Sequence, residues 1–156
     1  MKAGYMECWS CKSNSGEQRI SPGPTIFEGK YWLVEHAYPV KTIGWLVIVL
    51  KRHAEALHDL AVEEFVELAQ IQARLIPFVH QELHCEKEYL SCYAEMEQFR
   101  HIHIHLFAKP ANLPDELKGG RSFALLKVTP EEAVPPEELI SFCESLKARF
   151  AYAPQV

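Results

Sequence analysis

The sequence lacks an apolar run long enough to cross a bilayer: the longest covers residues 43–50, whereas a membrane-spanning helix needs about 20 apolar residues. Residues 1–11 lack the apolar core of a signal peptide, so no targeting segment is predicted. Positive charge is not in excess, because the formal net charge is -5, and this argues against nonspecific nucleic-acid or membrane partners. The cysteine count is five, an odd number, which argues against a closed disulfide framework and favours a reducing, cytoplasmic compartment.

The length and composition of the chain are sufficient for one domain. The 156 residues are 48% hydrophobic and 24% charged, as in ordinary globular proteins with a proper core. The hydrophobic patterns do not alternate regularly between strand and helix, which indicates an α+β fold with an antiparallel sheet of about five strands. The predicted strands are 25–27 and 31–35, which form a hairpin, and then 44–50, 88–96, 100–108 and, as a short strand, 122–128.

Two helices are predicted to pack on this sheet. The main one follows His53 and continues to Leu83, with Asp59 or a neighbouring residue as its cap. Pro77 lacks a backbone donor, so we expect a kink or an early end there. A C-terminal helix begins at residues 135–136 and carries an apolar face.

Three histidines stand in strict alternation at His101, His103 and His105, separated by Ile102 and Ile104. In a β-strand the three imidazoles share one face, with about 7 Å between successive rings. Imidazole can act as a nucleophile, an acid, a base or a metal ligand near neutral pH. The alternation therefore predicts a chemically active face.

A second pattern is the pair Cys8 and Cys11, two residues apart. Two thiolates at this spacing can hold one zinc ion, which then needs two further nitrogen or sulfur ligands. His53 and one of the three alternating histidines are the natural candidates. A redox dithiol is the rival interpretation, although that motif normally opens a helix after a strand.

Other histidines leave alternatives open. His80 and His84 are four residues apart on the main helix and are either surface residues or a metal-ligating pair. His36 precedes Tyr38 and Pro39 and is a candidate for the wall of a cleft.

Residues 101–107 resemble the signature of the histidine triad family of nucleotide hydrolases and transferases, in which three histidines alternate with hydrophobic residues and two more hydrophobic residues follow. Residues 44–53 resemble the upstream strand of that family, and residues 8–11 resemble the cysteine pair of its zinc-bearing members. The resemblance covers residues 8–109. It implies a histidine triad domain with an N-terminal zinc-binding segment over residues 1–109, and an extension packed on it over residues 110–156.

The resemblance also implies roles for individual residues. His103 would attack the α-phosphorus of a nucleotide and form a nucleotidyl-histidine, while His105 would hydrogen-bond the phosphoryl oxygens. A structural zinc site would comprise Cys8, Cys11, His53 and His101. Members of the family commonly pair as homodimers, so a homodimer is expected.

Departures from the family pattern concern substrate contacts. Trp45 stands where the family usually has histidine, and Leu50 where it has proline. The ribose-binding acid has no clear counterpart, since His36 or Ala37 falls at its position with Glu35 adjacent. Gln98 is a candidate for the polar contact that a Gly-Gln-Ser/Thr run provides in many members.

The expected function is that of a nucleotide phosphoramidase or nucleotidyl hydrolase, with a nucleotide or nucleotide conjugate as substrate. Two alternatives remain at the level of sequence. One is a nucleotide-binding module of the same fold with weak or no catalysis. The other is a hydrolase whose zinc is held by His101, His103 and His105 together.

Overall fold

The computed structural model describes residues 8–154, which form a five-stranded antiparallel sheet with helices packed against it. The predicted α+β class is thus confirmed. The helices are α1 (Trp9–Asn14), α2 (Val62–Leu83) and α3 (Pro136–Phe150), and the strands are β1 (Phe27–Glu28), β2 (Trp32–His36), β3 (Trp45–Leu50), β4 (Lys87–Ser91) and β5 (His103–Lys109).

The strands are ordered β1-β2-β3-β5-β4, so β3 and β5 lie at the centre. Apolar residues fill β3 on both faces, as its interior position requires. The predicted hairpin is confirmed with slightly shifted bounds: β1 pairs with β2 around Gly29. Its turn is held by the Glu67 carboxylate of α2, which accepts from the backbone N–H groups of Lys30, Tyr31 and Trp32 at 2.7–3.0 Å.

The main helix, α2, runs unbroken past Pro77. The proline removes the donor for the Ala73 carbonyl, but both residues are exposed, so water can satisfy that carbonyl and the helix continues. Asp59 does not cap α2. It lies in a separate 3-10 turn (Leu57–Asp59), and the Glu64 carboxylate instead accepts from the Ala61 N–H at 2.8 Å.

The C-terminal helix contributes to the same core as the sheet. Its buried face consists of Leu139, Cys143, Leu146 and Phe150. Arg74 of α2 donates to the Phe150 carbonyl at 2.7 Å and lies over the Phe150 ring, which ties the two helices together. Helix α3 therefore shares its apolar contacts with the core of the sheet.

Three of the strand predictions need correction. The predicted strands 88–96 and 100–108 are shorter, and the second begins only at His103, so His101 precedes it. The predicted strand 122–128 is wrong, because residues Gly119–Leu126 form a 3-10 helix. Its apolar residues recur at a spacing of three, as in Phe123 and Leu126, which matches the 3-10 period rather than the strand period.

Among residues 8–154, no helix is both long and apolar enough to span a membrane.

Candidate active site and metal centre

The pairing of β3 with β5 positions two of the three alternating histidines. His103 lies opposite Val49 and His105 opposite Val47. These four side chains share one face of the sheet, because residues two apart in a strand point the same way. They line a cavity of about 430 Å³.

His103 is held in one tautomer by the backbone. Its Nδ1 lies 2.6 Å from the carbonyl oxygen of His101. A carbonyl only accepts, so Nδ1 carries the proton and Nε2 keeps a free lone pair. Nε2 of this ring is therefore the nitrogen that can accept a bond or a proton.

His105 is held in the opposite tautomer. The indole N–H of Trp45 donates to its Nδ1 at 3.0 Å. Indole can only donate, so His105 accepts at Nδ1 and carries its proton on Nε2. The two rings, with centroids 4.8 Å apart, thus offer one lone pair and one N–H donor side by side.

Both rings are uncharged at neutral pH. Burial lowers the pKa of His103. Burial, and then the repulsion that a protonated His103 would exert, lowers the pKa of His105 to about 3. A neutral imidazole can attack phosphorus without first losing a proton.

Aromatic side chains form much of the cavity wall. Phe123 comes from the 3-10 helix, and its ring centroid lies 4.9 Å from that of His105. Tyr93 packs edge-on against Phe123 at 5.4 Å, and Phe99 lies further along the wall. Such rings offer stacking surfaces for a planar ligand group. Sequence reasoning missed Tyr93 and Phe123, because no motif marks them.

The acid beside the expected ribose position is already engaged. Glu35 lines the cavity, but both its oxygens accept from the Arg19 guanidinium at 2.9 Å, and Thr25 donates to Oε1 at 2.7 Å. Arg19 also donates to the Gly23 carbonyl at 3.0 Å. The carboxylate is therefore part of a buried polar network.

The two predicted substrate-binding residues occupy different environments. His36 is buried in the cavity wall, where Nδ1 donates to the Ala37 carbonyl at 2.8 Å and Nε2 accepts from the Gly44 N–H at 3.0 Å. With both nitrogens occupied, only its carbon edge is available to a ligand. Gln98 is exposed on the 3-10 turn Glu97–Phe99, whose Phe99 lines the cavity.

His101 turns away from the other two histidines towards the cysteines. Its Nδ1 lies 3.5 Å from the sulfur of Cys8 and 3.4 Å from the sulfur of Cys11. His53 Nδ1 lies 3.4 Å from the Cys11 sulfur. The four side chains predicted as zinc ligands from the resemblance thus converge, with all ligand atoms within 4.8 Å of one another.

Local structure explains this convergence. Cys8 precedes the short helix α1, and the N–H of Cys11 donates to its sulfur at 3.4 Å. The Leu50 carbonyl at the end of β3 accepts from His101 Nε2 at 2.7 Å and from Asn14 of α1 at 2.9 Å. One carbonyl therefore ties the histidine and the cysteine-bearing helix to the same strand.

The donor set fits zinc. Two sulfurs and two imidazole nitrogens form a closed structural set, and bond lengths of about 2.0–2.3 Å place tetrahedral ligand atoms about 3.3–3.8 Å apart. Burial, together with the nearby Cys8, raises the pKa of Cys11 to about 12, an effect that a cation between the thiols would offset. Two groups of described residues are able to hold a metal, and neither contains His103 or His105. The three-histidine zinc arrangement therefore lacks support.

Comparisons with known proteins agree with this geometry. No protein-family model matches the chain, and no curated protein matches its sequence. Among solved structures, a zinc-bound histidine triad family protein from Mycobacterium smegmatis matches with TM-score 0.65 and 20% identity over 94% of this chain and 97% of that one. A histidine triad protein from Bradyrhizobium japonicum gives 0.68 and 17% over 92% and 98%.

A third match is the diadenosine triphosphate hydrolase of Plasmodium falciparum, with TM-score 0.61 and 11% identity over 81% of this chain and 76% of that one. At sequence identities this low, the structural similarity shows the fold alone. The chain has the histidine triad fold, as the motif at His101, His103 and His105 led us to expect.

Proposed function

We propose that the protein is a nucleotide phosphoramidase or nucleotidyl hydrolase that forms a nucleotidyl-histidine at His103. One observation carries the proposal: His103 and His105 line the same cavity in opposite tautomers. One ring offers a lone pair to an electrophile, and the other offers an N–H to the charge that develops beside it.

The chemistry divides into two displacements. In the first, the lone pair of His103 Nε2 forms a bond to the α-phosphorus, and the leaving group departs with the electrons of its bond and takes a proton from solvent. The ring becomes cationic and keeps its Nδ1 proton, which the His101 carbonyl stabilises as an acceptor. In the second, water displaces the ring, a proton is released, and His103 returns to its neutral form.

His105 serves both displacements without changing its protonation. Its Nε2–H donates to a phosphoryl oxygen, where negative charge accumulates at the transition state. Burial of the ring strengthens this hydrogen bond, because water competes less well for a donor that is largely desolvated.

We also propose that zinc occupies the cluster of Cys8, Cys11, His53 and His101. The ion would supply a structural cross-link and no catalytic step, since its ligand set is closed. It would fix His101, whose carbonyl orients the ring of His103. The structural centre thus positions the nucleophile through one backbone group.

A nucleotide as substrate is supported by the aromatic wall of the cavity, on which a base can stack. It is supported also by the relative from Plasmodium falciparum, which hydrolyses diadenosine triphosphate. A homodimer and a cytoplasmic location stay predictions.

The second candidate is a nucleotide-binding module with weak or no catalysis. The hydrogen bonds of Glu35 favour it, because Arg19 and Thr25 occupy the carboxylate adjacent to the expected ribose position. Gln98, the other expected contact, is exposed and is not among the residues that line the cavity. Both features concern substrate recognition and leave the nucleophile intact.

The test is turnover of a nucleoside phosphoramidate and of a dinucleoside polyphosphate, with intact-mass detection of a nucleotidyl adduct. We expect His103→Ala to abolish the adduct and to lower kcat/KM at least about 10⁴-fold. His58→Ala is the matched control, since His58 is an exposed histidine outside the cavity. Turnover that survives in His103→Ala overturns the assignment of the nucleophile. Nucleotide binding without turnover in the wild type supports the binding module.

A further inference from the structure

A second group of metal-ligating side chains lies where α2 ends and β4 begins. His80 is on the last turn of α2, Cys85 follows the helix, and Glu88 is in β4. The Cys85 sulfur is 3.2 Å from Glu88 Oε1 and 3.7 Å from His80 Nδ1. His80 Nδ1 is 2.5 Å from the same carboxylate oxygen. Three different ligand types thus meet at one point.

We propose that His80, Cys85 and Glu88 bind a second zinc ion, with its fourth position open to solvent. Thiolate, imidazole and carboxylate are all zinc ligands. The Cys85–His80 distance of 3.7 Å lies within the spacing of about 3.3–3.8 Å around a tetrahedral ion, and the Cys85–Glu88 distance of 3.2 Å falls just short of it. The remaining pair must separate by about 1 Å to reach that spacing. The His80 side chain is 53% exposed, so its ring is free to make this shift.

The exposure of the three side chains determines which side of the bound ion would face solvent. Cys85 is buried, while Glu88 and His80 are partly exposed. An ion held from beneath by the sulfur would face solvent on its outer side, where water completes the tetrahedron. A soft sulfur and a nitrogen ligand select zinc over magnesium or calcium, which prefer oxygen ligands.

Neighbouring residues leave these three side chains available. The other carboxylate of the turn, Glu86, pairs with Lys109 and does not compete for the ion. His84, which the sequence pairs with His80 at helical spacing, ends α2 in a left-handed conformation (φ 49°) and lies outside the group. The partners of His80 are therefore Cys85 and Glu88, which the sequence spacing alone does not indicate.

The second group is remote from the histidine triad. Glu88 pairs with Ala108, five residues beyond His103 on β5, which corresponds to about 17 Å along the strand. A zinc ion here would cross-link the end of α2 to the edge strand β4. It is independent of the proposed catalytic function.

The experiment measures zinc per chain at saturation, by metal analysis after zinc titration of the full-length protein. We expect His80→Ala, Glu88→Gln and Cys85→Ser each to hold one zinc fewer than the wild type. His84→Asn is the matched control, because it changes the adjacent exposed histidine and keeps a residue that tolerates the left-handed conformation. It should keep the wild-type content, and so should His103→Ala.

Zinc bound by the cluster of Cys8 and Cys11 contributes equally to the wild type and to the variants, so the difference in zinc content reports only the second group. Since Cys85 is buried and its substitution can impair folding, the two partly exposed positions decide the outcome. A cobalt titration adds a second readout: the thiolate-to-cobalt absorption should be weaker in Cys85→Ser than in the wild type. Unchanged zinc content in both His80→Ala and Glu88→Gln overturns the proposal.

Discussion

Trp45 of β3 donates its indole N–H to Nδ1 of His105 on the neighbouring strand, across 3.0 Å. The indole is fixed by stacking on Phe107, with ring centroids 4.6 Å apart and planes inclined by 16°. Trp45 stands where the resemblance leads one to expect a histidine. In this chain it fixes His105 as an acceptor at Nδ1, which places the ring proton on Nε2.

Replacing this donor should therefore impair His105 specifically. In Trp45→Phe, the ring proton of His105 is no longer confined to Nε2. We expect kcat to fall about tenfold, because a tenfold change corresponds to about 1.4 kcal/mol, the contribution of one hydrogen bond. Nitrogen NMR of the imidazole should report a mixture of tautomers for His105. Trp32→Phe is the matched control, because it removes an equally buried indole N–H that donates to the Glu64 carbonyl. An unchanged tautomer in Trp45→Phe would contradict the assigned role.

Acid should destabilise the fold through His36. Burial lowers the pKa of this ring from 6.5 to about 4, so below pH 6.5 the unfolded chain binds a proton that the folded chain excludes. The contribution of the neutral ring is complete above pH 6.5, is lost as the pH falls towards 4, and totals on the order of 3 kcal/mol.

The measurement is the free energy of unfolding in urea across that pH range. His36→Gln should show a shallower acid slope than the wild type, although its stability at neutral pH is lower. His58→Gln, at an exposed histidine, should keep the wild-type slope. Equal slopes for His36→Gln and the wild type would show that His36 does not drive the transition.

Removal of the four-ligand metal centre should destabilise the protein. We expect Cys11→Ser to lose one zinc and to lower Tm by roughly 10 °C, because ligand binding to the folded state adds several kcal/mol of stability. Cys92→Ser, at a cysteine outside both metal-ligating groups, is the control for thiol loss. Zinc content that is equal in Cys11→Ser and in the wild type would count against this site.

The Arg19–Glu35 pair should be an important polar contact. Glu35 is 8% exposed and Arg19 is 35% exposed, so Arg19→Ala leaves a buried carboxylate without its main partner. We expect a loss of about 2 to 3 kcal/mol in the free energy of unfolding. This is less than for a fully buried ion pair, because Arg19 is partly exposed and solvent screens the interaction.

A double-mutant cycle measures this contact. Arg19→Ala with Glu35→Gln should recover part of the loss, because the amide is neutral and Thr25 still contacts that position. If the two single losses simply add in the double variant, the pair contributes no coupling energy.

The sequence by itself determined the strand on which His103 and His105 lie. Alternation at residues 101–105 predicts one shared face for all three histidines, because side chains on a strand alternate. This is confirmed for His103 and His105 and is wrong for His101, which precedes the strand and contacts the cysteines. Other local signals predict the hairpin, through the turn at Gly29, and the buried strand β3, which is apolar on both faces. The resemblance added the ligand set Cys8, Cys11, His53 and His101, and these four side chains do converge.

Tertiary structure decided which groups each histidine contacts. The proton positions of His103 and His105 depend on the His101 carbonyl and the Trp45 indole, and the second of these comes from a different strand. Glu35 is engaged because the fold brings Arg19 and Thr25, both from earlier in the chain, to its carboxylate. His80 meets Cys85 and Glu88 only because α2 ends at His84 and the chain reverses into β4. Hydrogen bonds and metal ligands require separations of a few ångströms between residues distant or differently spaced in sequence, and only the packed fold determines those separations.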